Sequence, residues 1–230
     1  MEKTHMQKTL DRMLQERIVA VVRLDDPAAC LDVAGALREG GISIVEITMT
    51  TPGALRVIRT MREAFPDLLV GAGSVLTRED VDACVGAGAA FQVAPILDPR
   101  VLEYALKRDI LFSPGTFTPS EAYAAWVGGA PLVKVFPSAR VGPKFVSDLK
   151  APMPFLRLMP TGGVNSDTIH DLLKAGADVV GAGSWLVNKK AIQEGDYDTI
   201  TRRAQALVDI VRNYAEAADT KDVASGEATA

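Results

Sequence analysis

The chain has few of the residues that build disulfides and metal centres. Its 230 residues include only two histidines, His5 and His170, and two cysteines, Cys30 and Cys84. The cysteines lack a CxxC spacing and fall in predicted helices, so they predict small core side chains in a reducing compartment. Because neither histidine follows a predicted strand, we expect no catalytic zinc site and no metal.

Basic excess and long apolar runs are also missing. The 29 acidic and 25 basic side chains give a formal net charge of -4, which provides no basic surface for nucleic acid. No apolar run approaches the roughly 20 residues of a membrane span, and residues 1–5 lack the apolar core of a signal peptide. The sequence therefore predicts a cytoplasmic protein that binds neither nucleic acid nor a membrane.

Short apolar runs do occur, and they alternate with amphipathic segments that are typical of helices. Such alternation indicates parallel βαβ units, and eight of them in 230 residues favour a compact (β/α)8 TIM barrel over an open sheet. We predict an additional N-terminal helix over residues 1–17, a single α/β barrel domain over 18–217 and a disordered tail over 218–230. The predicted strands are Ile18–Val22, Ile44–Ile47, Leu68–Val70, Phe91–Ala94, Ile110–Phe112, Leu132–Phe136, Phe155–Met159 and Val179–Gly181.

Lys134 lies inside one of these apolar runs, where a lysine is rare. Burial disfavours the charged form of an amine, and a neutral amine is a nucleophile toward carbonyl carbons. Glu46 is the second anomaly, since it interrupts an apolar strand. The two-residue alternation of a strand directs Val133 and Val135 outward and Lys134 into the barrel lumen, and the same rule directs Glu46 inward.

Lys134 and Glu46 are predicted to point at one another. They belong to the sixth and second strands, which are opposite and both even-numbered, and alternate strands contribute side chains to one layer. A buried structural ion pair is the alternative, because ion-pair networks also contain buried ionisable groups. We favour a catalytic pair, since apolar side chains would fill the lumen without the desolvation cost.

Other polar residues lie within or just after the predicted strands, whose C-terminal ends carry the active sites of barrel enzymes. They are Arg23, Thr48, Thr50, Ser74, Gln92, Ser113, Thr116, Thr161 and Ser184. Arg23 can form a bidentate pair with a carboxylate or phosphate. An ordinary surface arginine is an equally good interpretation of this position. Gly162, Gly163, Gly183 and Ser184 follow the last two strands and predict a phosphate site made of backbone N–H groups. Tight loops that simply need glycine are the alternative there.

Five motifs occur in an order that resembles one family of aldolases. They are Val45–Thr48, Val70–Leu76, Val133–Pro137, Pro160–Val164 and Gly183–Leu186. The chain resembles the 2-keto-3-deoxy-6-phosphogluconate (KDPG) aldolase family, which includes 4-hydroxy-2-oxoglutarate (KHG) and phosphogalactonate aldolases. The resemblance extends from about Gln15 to about Ala215. It implies a class I aldolase on a (β/α)8 barrel, usually a homotrimer, that needs no cofactor.

The resemblance also implies a role for each matching residue. Lys134 would form the Schiff base, Glu46 would act as general acid and base, and the four residues of the glycine loops would bind phosphate. Some members have an arginine at the position of Thr50, and others have one at the end of the first strand, where Arg23 lies here. The residues implied to contact the substrate are Arg23, Thr48, Thr50, Ser74, Pro95, Phe136 and Thr161.

The expected activity is cleavage of a small 2-keto-4-hydroxy acid. KDPG would give pyruvate and glyceraldehyde 3-phosphate, and KHG would give pyruvate and glyoxylate; 2-dehydro-3-deoxy-6-phosphogalactonate is the alternative substrate. Two alternatives of another kind are a sugar-phosphate isomerase or epimerase without a covalent intermediate, and a non-catalytic scaffold or binding module. A pyruvate adduct on Lys134 would distinguish the aldolase from both.

Overall fold

A computed structural model of the protein describes residues 3–227, with side chains described over 3–217. Nine parallel strand segments alternate with ten α-helices in this part of the chain, which confirms the predicted α/β barrel. The strands are β1 (Ile18–Val22), β2 (Ile44–Thr48), β3 (Leu69–Gly73), β4 (Phe91–Val93), β5 (Leu111–Ser113), β6 (Gly115–Thr116), β7 (Val133–Val135), β8 (Leu158–Pro160) and β9 (Val180–Ala182). The helices are α1 (His5–Glu16), α2 (Cys30–Glu39), α3 (Ala54–Ala64), α4 (Arg78–Ala87), α5 (Pro99–Leu106), α6 (Pro119–Val127), α7 (Gly142–Lys150), α8 (Ile169–Lys174), α9 (Lys189–Glu194) and α10 (Tyr197–Glu227).

The strands form two hydrogen-bonded ladders, in the orders β5-β4-β3-β2-β1-β9 and β6-β7-β8. β5 and β6 are two halves of the fifth barrel strand, which Pro114 divides because proline has no N–H to donate. The carbonyl of Pro114 still accepts from the N–H of Lys134 at 3.0 Å. At the other seam, a bridge between Thr161 and Gly181 joins β8 to β9. The two ladders therefore curl into one eight-stranded barrel.

The N-terminal helix α1 lies against the N-terminal end of the lumen. Thr4 caps it, with its hydroxyl accepting from the N–H of Gln7. Met13 on this helix is fully buried in the lumen cluster, where it packs with Ile44 and Phe91. The helix thus closes the end of the barrel opposite the strand termini that carry the predicted site residues.

The strands that contain Glu46 and Lys134 show the predicted alternation of side chains. Val45 and Ile47 of β2, and Val133 and Val135 of β7, belong to the large cluster between the strands and the helices. The side chains between them therefore face the lumen.

The bounds of seven of the eight predicted strands differ from those in the structure by one to three residues, and two of these differences have a clear physical reason. The seventh barrel strand begins at Leu158 and not at Phe155, which is 46% exposed and packs its ring 5.8 Å from that of Trp126. Phe155 follows Pro154 in a turn, so a hydrophobic residue that reads as strand serves a surface contact instead. The fifth strand continues past Phe112 as β6, after the break at Pro114.

The predicted disordered tail over residues 218–230 is only partly described. α10 extends to Glu227, but side chains beyond Ala217 and residues 228–230 lie outside the described residues, and the disordered tail stays a prediction. Within residues 3–227, no helix is both long enough and apolar enough to cross a membrane.

Candidate active site

Lys134 and Glu46 are both buried inside the barrel. Lys134 is 5% exposed and Glu46 is 1% exposed. The Nζ of Lys134 lies 4.9 Å from the centroid of the Phe136 ring, which covers one side of the amine. Both residues occupy strand positions, so rigid ladders on either side fix their backbones.

The strand register places Lys134 and Glu46 at the same height in the barrel. Thr48 of β2 pairs with Gly73, and Gly73 pairs with Val93. Because barrel strands are tilted, two residues at the same height on neighbouring strands differ by about one residue from a hydrogen-bonded pair. From β4 to β2 this offset amounts to two residues, so the residue at the height of Val93 is Glu46 and not Thr48. The same count around the ring gives one inward layer: Glu46, Val93, Lys134 and Gly181.

The carboxylate of Glu46 is not held as in a structural ion pair. Its Oε2 atom is buried and has no hydrogen-bond partner in the structure. A structural ion pair retained for stability would satisfy its buried oxygens, because an unpaired buried polar atom costs stability. This observation favours the catalytic interpretation of the pair over the structural one.

Burial raises the pKa of Glu46, and the positive charges of Lys134 and Arg23 lower it, with burial the larger effect. Glu46 therefore keeps a proton at pH values where an exposed glutamate has lost it. A carboxyl group whose pKa is raised in this way is better suited than an exposed one to both give and take a proton.

Gly73 makes room for this carboxylate. A Cβ atom at Gly73 would overlap with Oε1 of Glu46. Glycine therefore has a steric reason at this position, since the Glu46 side chain lies directly against the backbone of β3.

If Glu46 acts in the reaction that the resemblance implies, Gly73→Ala should lower its rate by about 10²-fold or more, because displacing a reacting group by about 1 Å is enough for such a loss. The measurement is pyruvate release under saturating substrate. Gly86→Ala is the matched control: it lies in α4, nothing lies within 4 Å of its added Cβ, and its activity should equal that of the native protein. Full activity in Gly73→Ala would remove this steric requirement.

The remaining predicted substrate residues surround the mouth above the pair. Arg23 is exposed at the end of β1, and its charge acts on Glu46. The hydroxyls of Thr48 and Thr50 lie 3.0 Å apart, with Thr50 exposed and Thr48 buried. Ser74 is half-buried and has a left-handed backbone with φ of 61°.

Pro95 and Thr161 are placed by contacts with glycines of neighbouring strands. A Cβ atom at Gly115 would overlap with the carbonyl group of Pro95, so the two backbones lie in direct contact. A Cβ atom at Gly181 would overlap with the hydroxyl of Thr161, which is 5% exposed. Both glycines are therefore needed for close packing around the mouth.

The two glycine loops are neighbours at the ends of β8 and β9. Gly162 and Gly163 both have left-handed backbones, with φ of 95° and 77°. Gly183 is half-buried, and Ser184 is exposed. The arrangement brings the four predicted phosphate residues to adjacent strand ends, where backbone N–H groups can bind an anion.

Ser138 is a supporting residue that the sequence did not suggest. Its Oγ donates to the carbonyl of Gly162 at 2.6 Å, and its N–H donates to the carbonyl of Thr161 at 2.8 Å. Ser138 therefore anchors the glycine loop to the segment after β7. The sequence could have indicated Ser138 through its position directly after Phe136 and Pro137, at the end of the strand that carries Lys134.

Three polar residues noted at strand ends have other roles. Gln92 faces the helices, because its Nε2 donates to the carbonyl of Val81 on α4 at 3.0 Å. Thr116 donates its hydroxyl to the carbonyl of Lys134 at 2.9 Å, which supports the β7 backbone. Ser113 is buried in the lumen without a partner for its Oγ. His170 lies on the exposed face of α8, in agreement with its expected surface position.

Comparison with known proteins gives the same assignment along most of the chain. Residues 10–203 match the aldolase family described as KDPG and KHG aldolase. The chain is 35% identical over 207 residues to a 2-dehydro-3-deoxy-phosphogluconate aldolase of Haemophilus influenzae, covering 90% of this chain and 98% of that one. It is 33% identical over 185 residues to a probable 2-dehydro-3-deoxy-6-phosphogalactonate aldolase of Rhizobium meliloti, covering 80% and 87%.

A solved structure shares both the fold and the sequence relationship. The KDPG aldolase of Legionella pneumophila, determined with pyruvate captured at low pH as a covalent carbinolamine intermediate, superimposes with a TM-score of 0.80 at 30% identity. The match covers 85% of this chain and 95% of that one. With the buried lysine and carboxylate in one layer of the barrel, these findings show that the chain is a carbon–carbon lyase belonging to the KDPG and KHG aldolase family.

Proposed function

We propose that the protein is a class I aldolase that cleaves KDPG to pyruvate and glyceraldehyde 3-phosphate through a Schiff base on Lys134. The observation that carries the proposal is the buried Lys134 in one lumen layer with Glu46, whose Oε2 has no hydrogen-bond partner. A buried amine next to an available acid is what iminium chemistry needs, because the steps alternate between nucleophilic attack and proton transfer.

The reaction begins when the neutral amine of Lys134 attacks the C2 ketone of the substrate. Loss of water gives an iminium ion, which withdraws electrons from C3. A base removes the proton of the C4 hydroxyl, the C3–C4 bond breaks and an aldehyde leaves. The enamine of pyruvate stays on Lys134 until Glu46, directly or through water, protonates its carbon. Water then hydrolyses the iminium and releases pyruvate.

Both ends of the substrate have candidate partners at the mouth. Arg23 can bind the carboxylate, with the hydroxyls of Thr48 and Thr161 beside it. The loops that contain Gly163 and Gly183 can bind the 6-phosphate through backbone N–H groups. Ser74, Pro95 and Phe136 would line the space between these ends.

The substrate proposal is tested by comparing kcat/KM for KDPG, the phosphogalactonate epimer and KHG, with pyruvate release as the common readout. KDPG should have the highest value. KHG lacks the phosphate, so it should lose the contribution of the glycine loops and be cleaved more slowly. If the phosphogalactonate epimer is cleaved faster than KDPG, the protein is a phosphogalactonate aldolase. If none of the three substrates is cleaved, the protein is not an aldolase of this kind.

We further propose that the protein is a homotrimer in the cytoplasm. Apolar side chains that follow four successive barrel strands are exposed by 36–55%, and they are a candidate contact surface. They are Leu76, Ile96, Phe117 and Phe136. The solution mass should be three times the 24.5 kDa of one chain. The two free cysteines, Cys30 and Cys84, fit a reducing compartment.

A further inference from the structure

Three consecutive carbonyl groups of the loop after β8 are each held by a hydrogen bond. The carbonyl of Thr161 accepts from the N–H of Ser138 at 2.8 Å, and that of Gly162 accepts from Oγ of Ser138 at 2.6 Å. The carbonyl of Gly163 accepts from Oγ1 of Thr168 at 3.0 Å. Because Ser138 is only 3% exposed, water competes little for the two bonds that it makes to the loop.

The carbonyl bonds fix the directions of two N–H groups in this loop. In a planar trans peptide, a carbonyl and the N–H that follows it point in opposite directions. The N–H of Gly163 therefore points away from Ser138, which lies after β7, and toward the side of β9. The second glycine loop follows β9 on that side. For the same reason the N–H of Val164 points away from Thr168.

These two N–H groups are available to a ligand. Neither the N–H of Gly163 nor that of Val164 donates a hydrogen bond to any of the described residues. Gly163 is exposed, so an anion can reach its N–H from the solvent. Successive backbone N–H groups without protein partners are a common binding site for phosphate.

The loop is a neighbour of the reactive amine. A Cβ atom at Gly162 would lie 3.8 Å from the ring of Phe136. The centroid of the same ring is 4.9 Å from Nζ of Lys134. Ser138 lies two residues after Phe136, so its bonds connect the segment that carries Lys134 to the loop. The N–H groups of the loop therefore belong to the same site as Lys134.

The loop needs these bonds because its own sequence does not fix its conformation. Glycine adopts positive and negative φ with similar ease, and Gly162 and Gly163 both have positive φ. The peptide between them could therefore rotate and turn the N–H of Gly163 away from a ligand. Hydrogen bonds to the carbonyls prevent this rotation, and donors that are oriented beforehand bind without the cost of ordering.

We propose that Ser138 and Thr168 are positioning residues that orient the N–H groups of Gly163 and Val164 toward the phosphate of the substrate. Both hydroxyls act through the carbonyls of the loop, and neither contacts the substrate. The proposal rests on the proposed aldolase function, since it concerns how the same site binds a phosphorylated substrate.

The test compares two reactions of Lys134 in the full chain. One is cleavage of KDPG, or of its phosphogalactonate epimer if that is the faster substrate, and the other is exchange of pyruvate methyl protons with deuterium oxide. Only the first involves a phosphate. Ser138→Ala should lower kcat/KM for cleavage by about ten-fold, the scale for loss of one hydrogen bond to a charged group. The loss should lie mainly in KM, because the phosphate is bound alike in the ground and transition states. Pyruvate exchange should keep its native rate.

Thr168→Val should have the same selective effect, and Thr168→Ser, which retains the hydroxyl, should restore the native values. Ser147→Ala is the matched control for Ser138→Ala. Its Oγ also donates to a backbone carbonyl, that of Lys144 at 2.8 Å, but both residues lie on α7 and outside the site. Both reactions should therefore be native in this control.

A purely structural role for the two hydroxyls predicts that both reactions slow by the same factor. That result in Ser138→Ala or in Thr168→Val would overturn the proposal, and so would a native kcat/KM for cleavage in both variants. If Ser138→Ala does not fold, the comparison of Thr168→Val with Thr168→Ser decides the question. Native protein that exchanges pyruvate protons but cleaves neither phosphorylated substrate would overturn this proposal. If native protein neither exchanges nor forms an adduct with pyruvate and borohydride, the aldolase proposal fails and this one fails with it.

Discussion

Replacing Lys134 with alanine is expected to lower kcat for KDPG cleavage by about 10⁴-fold or more, the usual scale for loss of a covalent nucleophile. Without the amine no iminium ion forms, and the C3–C4 bond has no electron sink. The fold should survive, because Glu46 can take a proton once the positive charge beside it is gone. The measurements are pyruvate release, the mass of the chain after borohydride reduction with pyruvate, and the melting temperature.

Lys150 offers a matched control for the trapping experiment. It is also partly buried, with 19% of its side chain exposed, but its Nζ donates to Asp178 at 2.8 Å and to the carbonyl of Leu156. Because Lys150 lies on α7 and its Nζ is held by Asp178 and by the carbonyl of Leu156, Lys150→Met should keep the pyruvate adduct. An adduct that persists in Lys134→Ala, or one that disappears in Lys150→Met, would contradict the assignment of Lys134.

The pattern of the sequence predicts the barrel and its inward pair because both depend on strand alternation. Val133 and Val135 on one face, with Lys134 on the other, follow from a period of two residues whatever the details of packing. The glycine loops were also predictable, because glycine is the residue that tolerates the left-handed backbone of Gly162 and Gly163.

Other features depend on tertiary contacts that the local sequence does not encode. The role of Gly73 comes from the neighbouring strand, since only the pairing of β2 with β3 brings Glu46 against it. Ser138 acts through the carbonyl of Gly162, 24 residues away along the chain. Phe155 resembles a strand residue because it is hydrophobic, but it lies in a turn and packs against Trp126 of α6. Each of these requires the register between elements, which a single strand pattern cannot supply.

Replacing Glu46 with glutamine is expected to lower the rate of pyruvate methyl-proton exchange by about 10²-fold to 10⁴-fold, since a positioned acid–base group contributes on that scale. The same change should raise the melting temperature at neutral pH. Burial raises the pKa of Glu46, so the folded protein holds a proton that the unfolded chain releases near the ordinary glutamate pKa. Stability is therefore lost as the pH rises from that ordinary value through the folded pKa, and an uncharged amide avoids this loss.

The stabilising effect should accordingly grow with pH and become small in acid. Glu121→Gln is the control with the opposite sign, because backbone N–H groups of Phe117 and Thr118 donate to its carboxylate and lower its pKa. That variant should be less stable than the native protein at neutral pH, and its deficit should shrink as the pH falls toward the folded pKa. Melting curves from pH 4 to pH 9 for both variants provide the measurement. A Glu46→Gln protein that is less stable at every pH would show that Glu46 holds the fold together, and the catalytic interpretation of its burial would fail.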